Sequence, residues 1–241
     1  MGKKRRHGQA FWDHEYKDAE HFALSESESE DLAKFTRWLH REHGGSILNV
    51  TSSVLDLGTG NGRNLCWLSE TLGVRGVGYD ISPEAIKQAR TRAERSELPL
   101  TFEARSIAGP LTNIPDESQT LVLDMMTSHF LKENDRVHLV HEIYRVLKPG
   151  GFLFYKTFLL DEDRNARRML KEHPGEEHNT YIHPEIGVAE HVGTEEEIEN
   201  LYGKYFEIRK VERSHRHKGK FAKRRSITYY FEKSPFGSPR P

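Results

Sequence analysis

The chain has 241 residues, of which 35% are apolar, 19 are glycine, 36 are basic and 37 are acidic. That apolar content is enough for a globular core and excludes an intrinsically disordered chain, while no run approaches the ~18 apolar residues of a membrane span. The lack of an evident secretory signal and the single cysteine, Cys66, exclude a disulfide-stapled secreted scaffold and favour the reducing cytoplasm.

Residues 1–44 are predicted to form an N-terminal cap followed by one helix. The first eight residues carry four basic groups and no acidic ones. An acidic tract at 25–30 then leads into the helix, and Ser27 with Glu30 has the spacing of a capping box. Gly44 and Gly45 are expected to end that helix.

Strand and helix patterns alternate through residues 45–160, which we expect to form the α/β core. Short apolar runs predict strands at 53–57, 74–80, 100–104, 120–126 and 152–158. Between them, helices are predicted after the turn at 58–62, at 83–95 and at 134–147. Strands that alternate with helices and are apolar on both faces predict a doubly wound, mostly parallel sheet covered by helices.

The rest of the chain has a different character. Residues 161–193 are polar, charged and rich in histidine, without a sustained apolar period, and are predicted to be a lid-like insertion. Residues 194–241 are expected to complete the single domain. Thr194 and Glu197 form a capping box that opens a helix, and strands at 205–213 and 226–232 are predicted to pair as an antiparallel hairpin.

The hairpin's turn concentrates positive charge. From residue 203 onward, twelve basic residues oppose three acidic ones. The turn itself supplies Lys218, Lys220, Lys223, Arg224 and Arg225, with Phe221 among them. Basic side chains can contact a phosphate backbone and an aromatic ring can stack on a base, so this composition indicates an RNA contact. A solvated charged hairpin is the other interpretation.

Glycines at 58, 60 and 62 follow the first core strand and open a helix. At such a turn, backbone N–H groups can accept a ligand that a side chain would block. A nicotinamide-type fingerprint needs a third glycine where this chain has Arg63, which disfavours a dehydrogenase. Asp56, two residues before the turn, suits a cationic ligand end, and Asp80 at the end of the next strand suits the hydroxyls of a ribose.

Three segments resemble the class I S-adenosylmethionine-dependent methyltransferases: Val54-Leu-Asp-Leu-Gly-Thr-Gly-Asn-Gly62, Gly78-Tyr-Asp-Ile-Ser82 and His141-Glu-Ile-Tyr-Arg-Val-Leu-Lys-Pro-Gly-Gly151. The resemblance covers roughly residues 45–160. Residues 11–16 are also loosely similar to the N-terminal cap of small-molecule members, tellurite-resistance-like methyltransferases among them. The resemblance implies a Rossmann-like fold, a seven-stranded sheet whose last strand is antiparallel, and S-adenosylmethionine as cofactor.

The resemblance also implies a role for each matching residue. Asp56 would lie near the methionine amino group, and Asp80 would hold the ribose hydroxyls with Ile81 against the adenine. Ser106 and Ile107 fall at the adenine, where many members instead have an Asp. The remaining predicted cofactor-binding residues are Gly58, Thr59, Gly60, Asn61, Gly62 and Asp124.

Three residues are predicted at the acceptor. His129 follows the fourth core strand, where ligands lie in doubly wound sheets, and a neutral imidazole there can take a proton from a hydroxyl, thiol or ring nitrogen. A hydrogen-bonded structural histidine is the alternative. Tyr181 and His183 come from the lid-like segment. No metal site is predicted, because the histidines there lack the helical spacing of a zinc motif and Pro184 opposes a helix.

Some acceptors are disfavoured by what the sequence lacks. Cys66 is flanked by Leu65 and Trp67 and is predicted to be a core residue, which argues against covalent cytosine methylation. Residues 124–130 lack the Asn/Asp-Pro-Pro-aromatic pattern that amide and adenine-amine methyltransferases carry. Of Tyr155 and Lys156, strand alternation lets only one face the acceptor, and Tyr155 is expected in the core.

The leading hypothesis is therefore transfer of a methyl group from S-adenosylmethionine to an oxygen, nitrogen or sulfur of a small molecule. The competing enzyme hypothesis is an RNA methyltransferase that docks through the basic turn. A non-catalytic, cofactor-binding regulatory scaffold is the alternative outside catalysis.

Overall fold

The structure, a computed structural model, describes residues 8–21, 24–214 and 224–236. Its strands are β1 Ser53–Leu57, β2 Arg75–Asp80, β3 Leu100–Ala104, β4 Gln119–Met125, β5 Leu147–Phe158, β6 Thr180–Ile182, β7 Ala189–His191, β8 Glu207–Arg213 and β9 Ser226–Glu232. Its helices are α1 Gly8–Lys17, α2 Glu30–His43, α3 Arg63–Leu72, α4 Pro83–Arg95, α5 Glu133–Val146, α6 Arg164–Glu172 and α7 Glu195–Tyr202, and a 3-10 turn spans Ser128–Phe130. Within these described ranges, no helix is both long and apolar enough to cross a bilayer.

Seven strands form one sheet in the order β3-β2-β1-β4-β5-β9-β8. β1, β2, β3, β4 and β5 pair in parallel, whereas β9 runs antiparallel to both β5 and β8. The predicted fold class is confirmed: an α/β, doubly wound, mostly parallel sheet that ends in an antiparallel hairpin. The chain order reverses between β1 and β4, so the carboxyl ends of these strands border the crevice in which such sheets bind ligands.

The sheet is buried on both faces because alternate side chains of each strand enter different cores. On β1, Leu55 and Leu57 pack in one core, which α5 and α7 cover. Val54 enters the opposite core, which α2, α3 and α4 cover. The two cores fix the register of the strands, since a one-residue slip would exchange the faces.

One of the two predicted capping boxes is confirmed. Thr194 and Glu197 form the capping box of α7, and Ser82 caps α4 ahead of Pro83. The capping box predicted at Ser27 and Glu30 is wrong: α2 begins at Glu30, its N-cap is Ser29, and no side-chain cap bond forms there. The backbone N–H of Ser29 instead donates to Asn64 Oδ1 at 2.9 Å, because the acidic tract packs across the start of α3.

Two regions are more regular than the sequence indicates. The lid-like segment 161–193 contains α6 and the hairpin β6–β7, with Met169, Tyr181 and Val192 in a small core of their own. The N-terminal cap contains α1, which packs on α4. Asp13 accepts hydrogen bonds from the Ser82 hydroxyl and the Glu84 backbone N–H, at 3.1 and 3.0 Å, and so joins α1 to the start of α4.

Candidate active site

A cavity of about 620 Å³ opens at the carboxyl ends of the central strands. At one end, here called the glycine-loop end, it is lined by Asp56, Gly58, Thr59, Gly60, Asn61, Asp80, Ile81, Ser106 and Ile107. At the other, the His129 end, it is lined by Trp12, Met126, His129, Phe130, Lys156, Phe158, His183, Glu190 and Arg224. The volume is in the range of small-molecule sites. One continuous space therefore joins most of the predicted cofactor residues to His129 and His183.

The glycine loop brings bare backbone to the cavity. Gly58, Gly60 and Gly62 all have positive φ, the left-handed region that favours glycine. A Cβ on Gly60 would overlap the hydroxyl of Tyr16. A Cβ on Gly62 would lie 2.9 Å from the Cβ of Ala89 on α4, so this glycine permits close helix packing and does not itself line the cavity.

Two buried carboxylates flank the loop, and neither forms an ion pair with any described residue. Asp80 accepts the backbone N–H groups of Gly60 and Ser82, both at 2.9 Å, but burial outweighs these bonds and raises its pKa. Asp56 accepts the Thr59 hydroxyl at 2.7 Å. Burial raises the pKa of Asp56 to about 7. Arg63 lowers the pKa of Asp56 only in part, and among the described residues no cation pairs directly with either acid.

Asp124 is not brought to the cavity, although the sequence assigned it to the cofactor. It is fully buried, and its Oδ1 accepts the Ser128 backbone N–H at 3.1 Å. Its Oδ2 has no hydrogen-bond partner within the described ranges, and burial raises its pKa to about 6. Alternation explains the difference, because Asp124 shares the sheet face of Val122 and Leu57 whereas Asp56 lies on the other face.

Helix α1 contributes cavity residues that the sequence analysis missed, among them Trp12 and Tyr16. The Tyr16 hydroxyl lies beside Gly60, and Trp12 packs on Phe130 at the His129 end. The backbone carbonyl of Tyr16 accepts the Gln88 side-chain amide at 2.6 Å, which holds the end of α1 on α4. The aromatic residues of the 11–16 segment carried the signal, but the direction in which they point depends on packing between distant parts of the chain.

His129 lies on the 3-10 turn after β4, with 2% of its surface exposed. Its ring packs against Phe130 and Phe158, at centroid distances of 4.0 and 5.3 Å. Neither ring nitrogen has a hydrogen-bond partner in the part of the chain that the structure describes. Burial lowers the pKa of His129 to about 3, so the imidazole is neutral at physiological pH. The alternative of a hydrogen-bonded structural histidine therefore does not fit.

The lid hairpin places its predicted residues differently. His183 lines the cavity, as does Glu190. Tyr181 does not: it is buried beside them, and its hydroxyl donates to Glu190 Oε2 at 2.8 Å. Tyr181 is therefore a residue that positions Glu190. Among the described residues, no group of three or more His, Cys, Asp or Glu side chains is arranged to hold a metal ion.

Arg224 enters the cavity instead of the solvent. Its Nη1 donates to Glu190 Oε2 at 2.5 Å, and its guanidinium lies over the ring of Phe158, 3.2 Å from the centroid. The neighbouring Arg225 pairs with Glu162 at 2.8 Å. These two members of the basic turn are thus engaged within the fold, while Lys218, Lys220 and Lys223 lie outside the described residues.

Two further side chains behave as predicted. Tyr155 is buried in the core, whereas Lys156 lines the cavity and donates to Asp31 on α2 at 2.6 Å. Cys66 is buried in the core that α3 contributes to, and burial raises the pKa of its thiol to about 11. A thiol with that pKa is not a ready nucleophile.

Comparisons with known proteins match part of this chain to a methyltransferase domain and to two curated relatives. Residues 54–151 match the family model of a methyltransferase domain. The chain is 30% identical over 126 residues to carboxy-S-adenosyl-L-methionine synthase of Shewanella woodyi, covering 50% of each protein. It is 31% identical over 144 residues to 27-O-demethylrifamycin SV methyltransferase of Amycolatopsis mediterranei, covering 58% of this chain and 51% of the relative. It thus spans about half the length of these curated relatives.

Solved structures share the fold. An S-adenosylmethionine-dependent methyltransferase from Methanosarcina mazei has a TM-score of 0.66 at 22% identity, covering 78% of this chain and 95% of its own. The 1,6-didemethyltoxoflavin-N1-methyltransferase of Burkholderia thailandensis, solved with 1,6-didemethyltoxoflavin and S-adenosylhomocysteine, has a TM-score of 0.61 at 18% identity, covering 85% and 79%. At these identities the likeness establishes the fold alone.

Proposed function

We propose that this chain, whose residues 54–151 match the family model of a methyltransferase domain, transfers a methyl group from S-adenosylmethionine to an oxygen, nitrogen or sulfur of a small molecule. One observation carries the proposal. Within the described residues, one cavity joins two buried carboxylates that form no ion pair to a buried histidine without a hydrogen-bond partner, beside aromatic side chains.

The glycine-loop end fits the cofactor. Asp56 would face the methionine ammonium, and the backbone of Gly58 and Gly60 borders the cavity at positions where a Cβ would overlap Thr127 and the Tyr16 hydroxyl. The oxygens of Asp80 are fixed by two backbone N–H groups and would accept the ribose hydroxyls, while Ile81 and Ile107 supply apolar walls for the adenine. When bound, the cofactor supplies an activated methyl group on a sulfonium.

The His129 end fits the acceptor. Methyl transfer by in-line displacement needs an oriented nucleophile and a site with little water, which buried aromatic walls provide. Trp12, Phe130 and Phe158 supply those walls. His129 stays neutral, so a ring nitrogen can accept a hydrogen bond from the acceptor and orient it, although a pKa of about 3 makes the imidazole a weak base. His183 lines the same end and is the second predicted contact, while Tyr181 acts through Glu190.

Isothermal titration calorimetry with S-adenosylhomocysteine tests the cofactor assignment. We expect saturable binding that Asp80→Ala weakens at least tenfold, since two ribose hydrogen bonds are lost (about 1.4 kcal/mol per factor of ten). Asp116→Asn is the matched control, because Asp116 is an exposed acid that pairs with Arg145 away from the cavity. No heat from folded wild-type protein would contradict the proposal.

Product formation separates an enzyme from a regulatory scaffold. We expect incorporation of labelled methyl into a small acceptor, and loss of it in His129→Ala with S-adenosylhomocysteine affinity retained. The RNA hypothesis predicts instead an RNA affinity that falls steeply with salt. The inward-facing, aromatic His129 end supports a metabolite over RNA, while the contribution of Lys218, Lys220 and Lys223 stays a prediction.

A further inference from the structure

Arg224 lines the His129 end of the cavity and carries two buried hydrogen-bond donors that no described residue accepts. A guanidinium has two kinds of edge, and its Nε–H and one Nη2–H point in parallel from the same side. In Arg224 only Nη1 is engaged, with Glu190. Both Nε and Nη2 are buried, and neither has a hydrogen-bond partner among the residues in the described ranges. Two parallel donors without acceptors at a ligand cavity are costly unless a ligand supplies the acceptors.

Phe158, Glu190 and Tyr181 fix the orientation of the Arg224 guanidinium. Phe158 lies under the guanidinium, Glu190 fixes Nη1, and Tyr181 in turn donates to Glu190. Burial opposes ionisation of Glu190, but Arg224 and the Tyr181 hydroxyl outweigh it and keep its pKa below the usual range. The side chain is therefore oriented before any ligand arrives, which is the arrangement that favours tight and specific binding.

The geometry points to an acceptor that carries a carboxylate on a flat, largely apolar body, with the carboxylate bound in two parallel hydrogen bonds by Arg224 Nε and Nη2. Two coplanar oxygens match two parallel donors, and an ionised acceptor makes such bonds stronger than a neutral one does. The flat body is favoured because Trp12, Phe130 and Phe158 line the space beside His129. This inference rests on the proposed function for the identity of the occupant as the methyl acceptor.

The ion pairs around the His129 end also favour an acceptor that carries a single negative charge. Arg224 is balanced by Glu190, and Lys156 by Asp31. His129 and His183 both have a lowered pKa from burial, so they add no charge at neutral pH. A singly charged anion would therefore be balanced by the cationic sulfonium that the proposed cofactor brings to the same cavity.

The test is a titration of protein saturated with S-adenosylhomocysteine, followed by NMR, with benzoate as the probe and benzamide as its neutral isostere. We expect benzoate to bind roughly tenfold or more tightly than benzamide, because the carboxylate offers an ionised acceptor to each N–H donor, whereas the amide offers one neutral acceptor and an NH2 that cannot accept. Binding of S-adenosylhomocysteine is measured first and separately. Its failure would overturn the proposed function, whereas failure of the benzoate preference alone would overturn only this inference.

Variants of the ion pair between Arg224 and Glu190 test directly whether Arg224 binds the carboxylate. Removing Arg224 alone would leave Glu190 buried without its partner. The informative change is therefore the double variant Arg224→Gln with Glu190→Gln, which removes both charges and leaves a shorter, neutral side chain at position 224. We expect it to bind benzoate and benzamide equally. Glu190→Gln alone should strengthen benzoate binding several-fold, because the balancing negative charge is lost.

The neighbouring ion pair provides the matched control. Arg225→Gln with Glu162→Gln removes an equivalent pair one residue away, and neither residue lines the cavity. This variant should keep the wild-type preference for benzoate. The inference is overturned if wild-type protein shows no saturable benzoate shift or no preference over benzamide, or if the Arg224/Glu190 double variant keeps the preference.

Discussion

Binding of the cofactor should release a proton from Asp56 below neutral pH. Burial raises the pKa of this carboxyl from 3.8 to about 7 in the ligand-free protein. That rise corresponds to roughly 4 kcal/mol at about 1.4 kcal/mol per pH unit, which is the cost of holding the charge without a cation. An ammonium group placed beside Asp56 would remove that cost, so the ligand selects the ionised form.

The number of protons released on binding at each pH equals the fraction of Asp56 that is protonated before binding. With a pKa of about 7, roughly 0.9 of the molecules carry the proton at pH 6 and roughly 0.1 at pH 8. Calorimetry of S-adenosylhomocysteine binding in two buffers of different ionisation enthalpy counts the protons released. We expect about 0.9 proton at pH 6, and an affinity that falls up to tenfold per pH unit as the pH drops below 7.

Asp56→Asn tests the assignment because the amide oxygen can still accept the Thr59 hydroxyl. The variant should bind more weakly at pH 8 and lose most of the proton release at pH 6. Asp124→Asn is the control: Asp124 is also buried and its pKa is raised to about 6, but it does not line the cavity. The reasoning is refuted if wild-type protein releases no proton at pH 6, or if Asp56→Asn releases as much as wild type.

The Asp56 carboxyl also makes the free energy of unfolding depend on pH. The folded state keeps a proton on Asp56 that the unfolded chain loses between pH 4 and 7, so this group lowers the free energy of unfolding as the pH rises through that window. Asp56→Asn should therefore raise the melting temperature of the ligand-free protein at pH 8. The variant should also gain less stability than wild type from added S-adenosylhomocysteine.

Three further predictions concern other parts of the site. Gly60→Ala should lower S-adenosylhomocysteine affinity at least tenfold, since its Cβ would overlap the Tyr16 hydroxyl, and Tyr16→Phe should partly restore it in the same titration (about 1.4 kcal/mol per factor of ten). Asp163→Ala should cost about 2–3 kcal/mol in urea unfolding, because Asp163 is buried, caps α6 at Ala166 and accepts the Arg225 backbone N–H at 2.7 Å. The imidazole nitrogens of His129 should show no titration by NMR between pH 5 and 8, and an inflection there would contradict the assignment of a neutral, desolvated ring.

Local patterns were sufficient to predict the sheet and the glycine-loop end. Period-two alternation separated Tyr155 from Lys156 correctly, because adjacent residues of a strand point to opposite faces of the sheet. The same alternation across the β1–β4 pairing places Asp124 on the opposite face from Asp56, away from the cavity. The assignment of Asp124 to the cofactor took no account of the face that its side chain occupies.

The acceptor end could not be predicted in the same way, because distant segments build it. Trp12 comes from α1, His129 from the turn after β4, Glu190 from the lid hairpin and Arg224 from the residues just before β9. Each position looks ordinary in sequence: Arg224 belongs to a run of basic residues that is typical of a solvated turn. Packing against Phe158 and pairing with Glu190 distinguish Arg224 from Arg225, the other member of that run that the structure describes.

The contrast between Arg224 and Arg225 shows what kind of information was missing. The two residues are adjacent and chemically identical, and both form an ion pair, yet one faces the cavity and the other pairs with the more exposed Glu162. Side chains of adjacent residues in an extended segment point in opposite directions, so one of two neighbouring arginines can face inward while the other faces outward. A charge count treats both as surface residues. Arg224 is the one that meets the buried Glu190, and this is why a turn whose composition suggests an external polyanion also contributes a cation to the cavity.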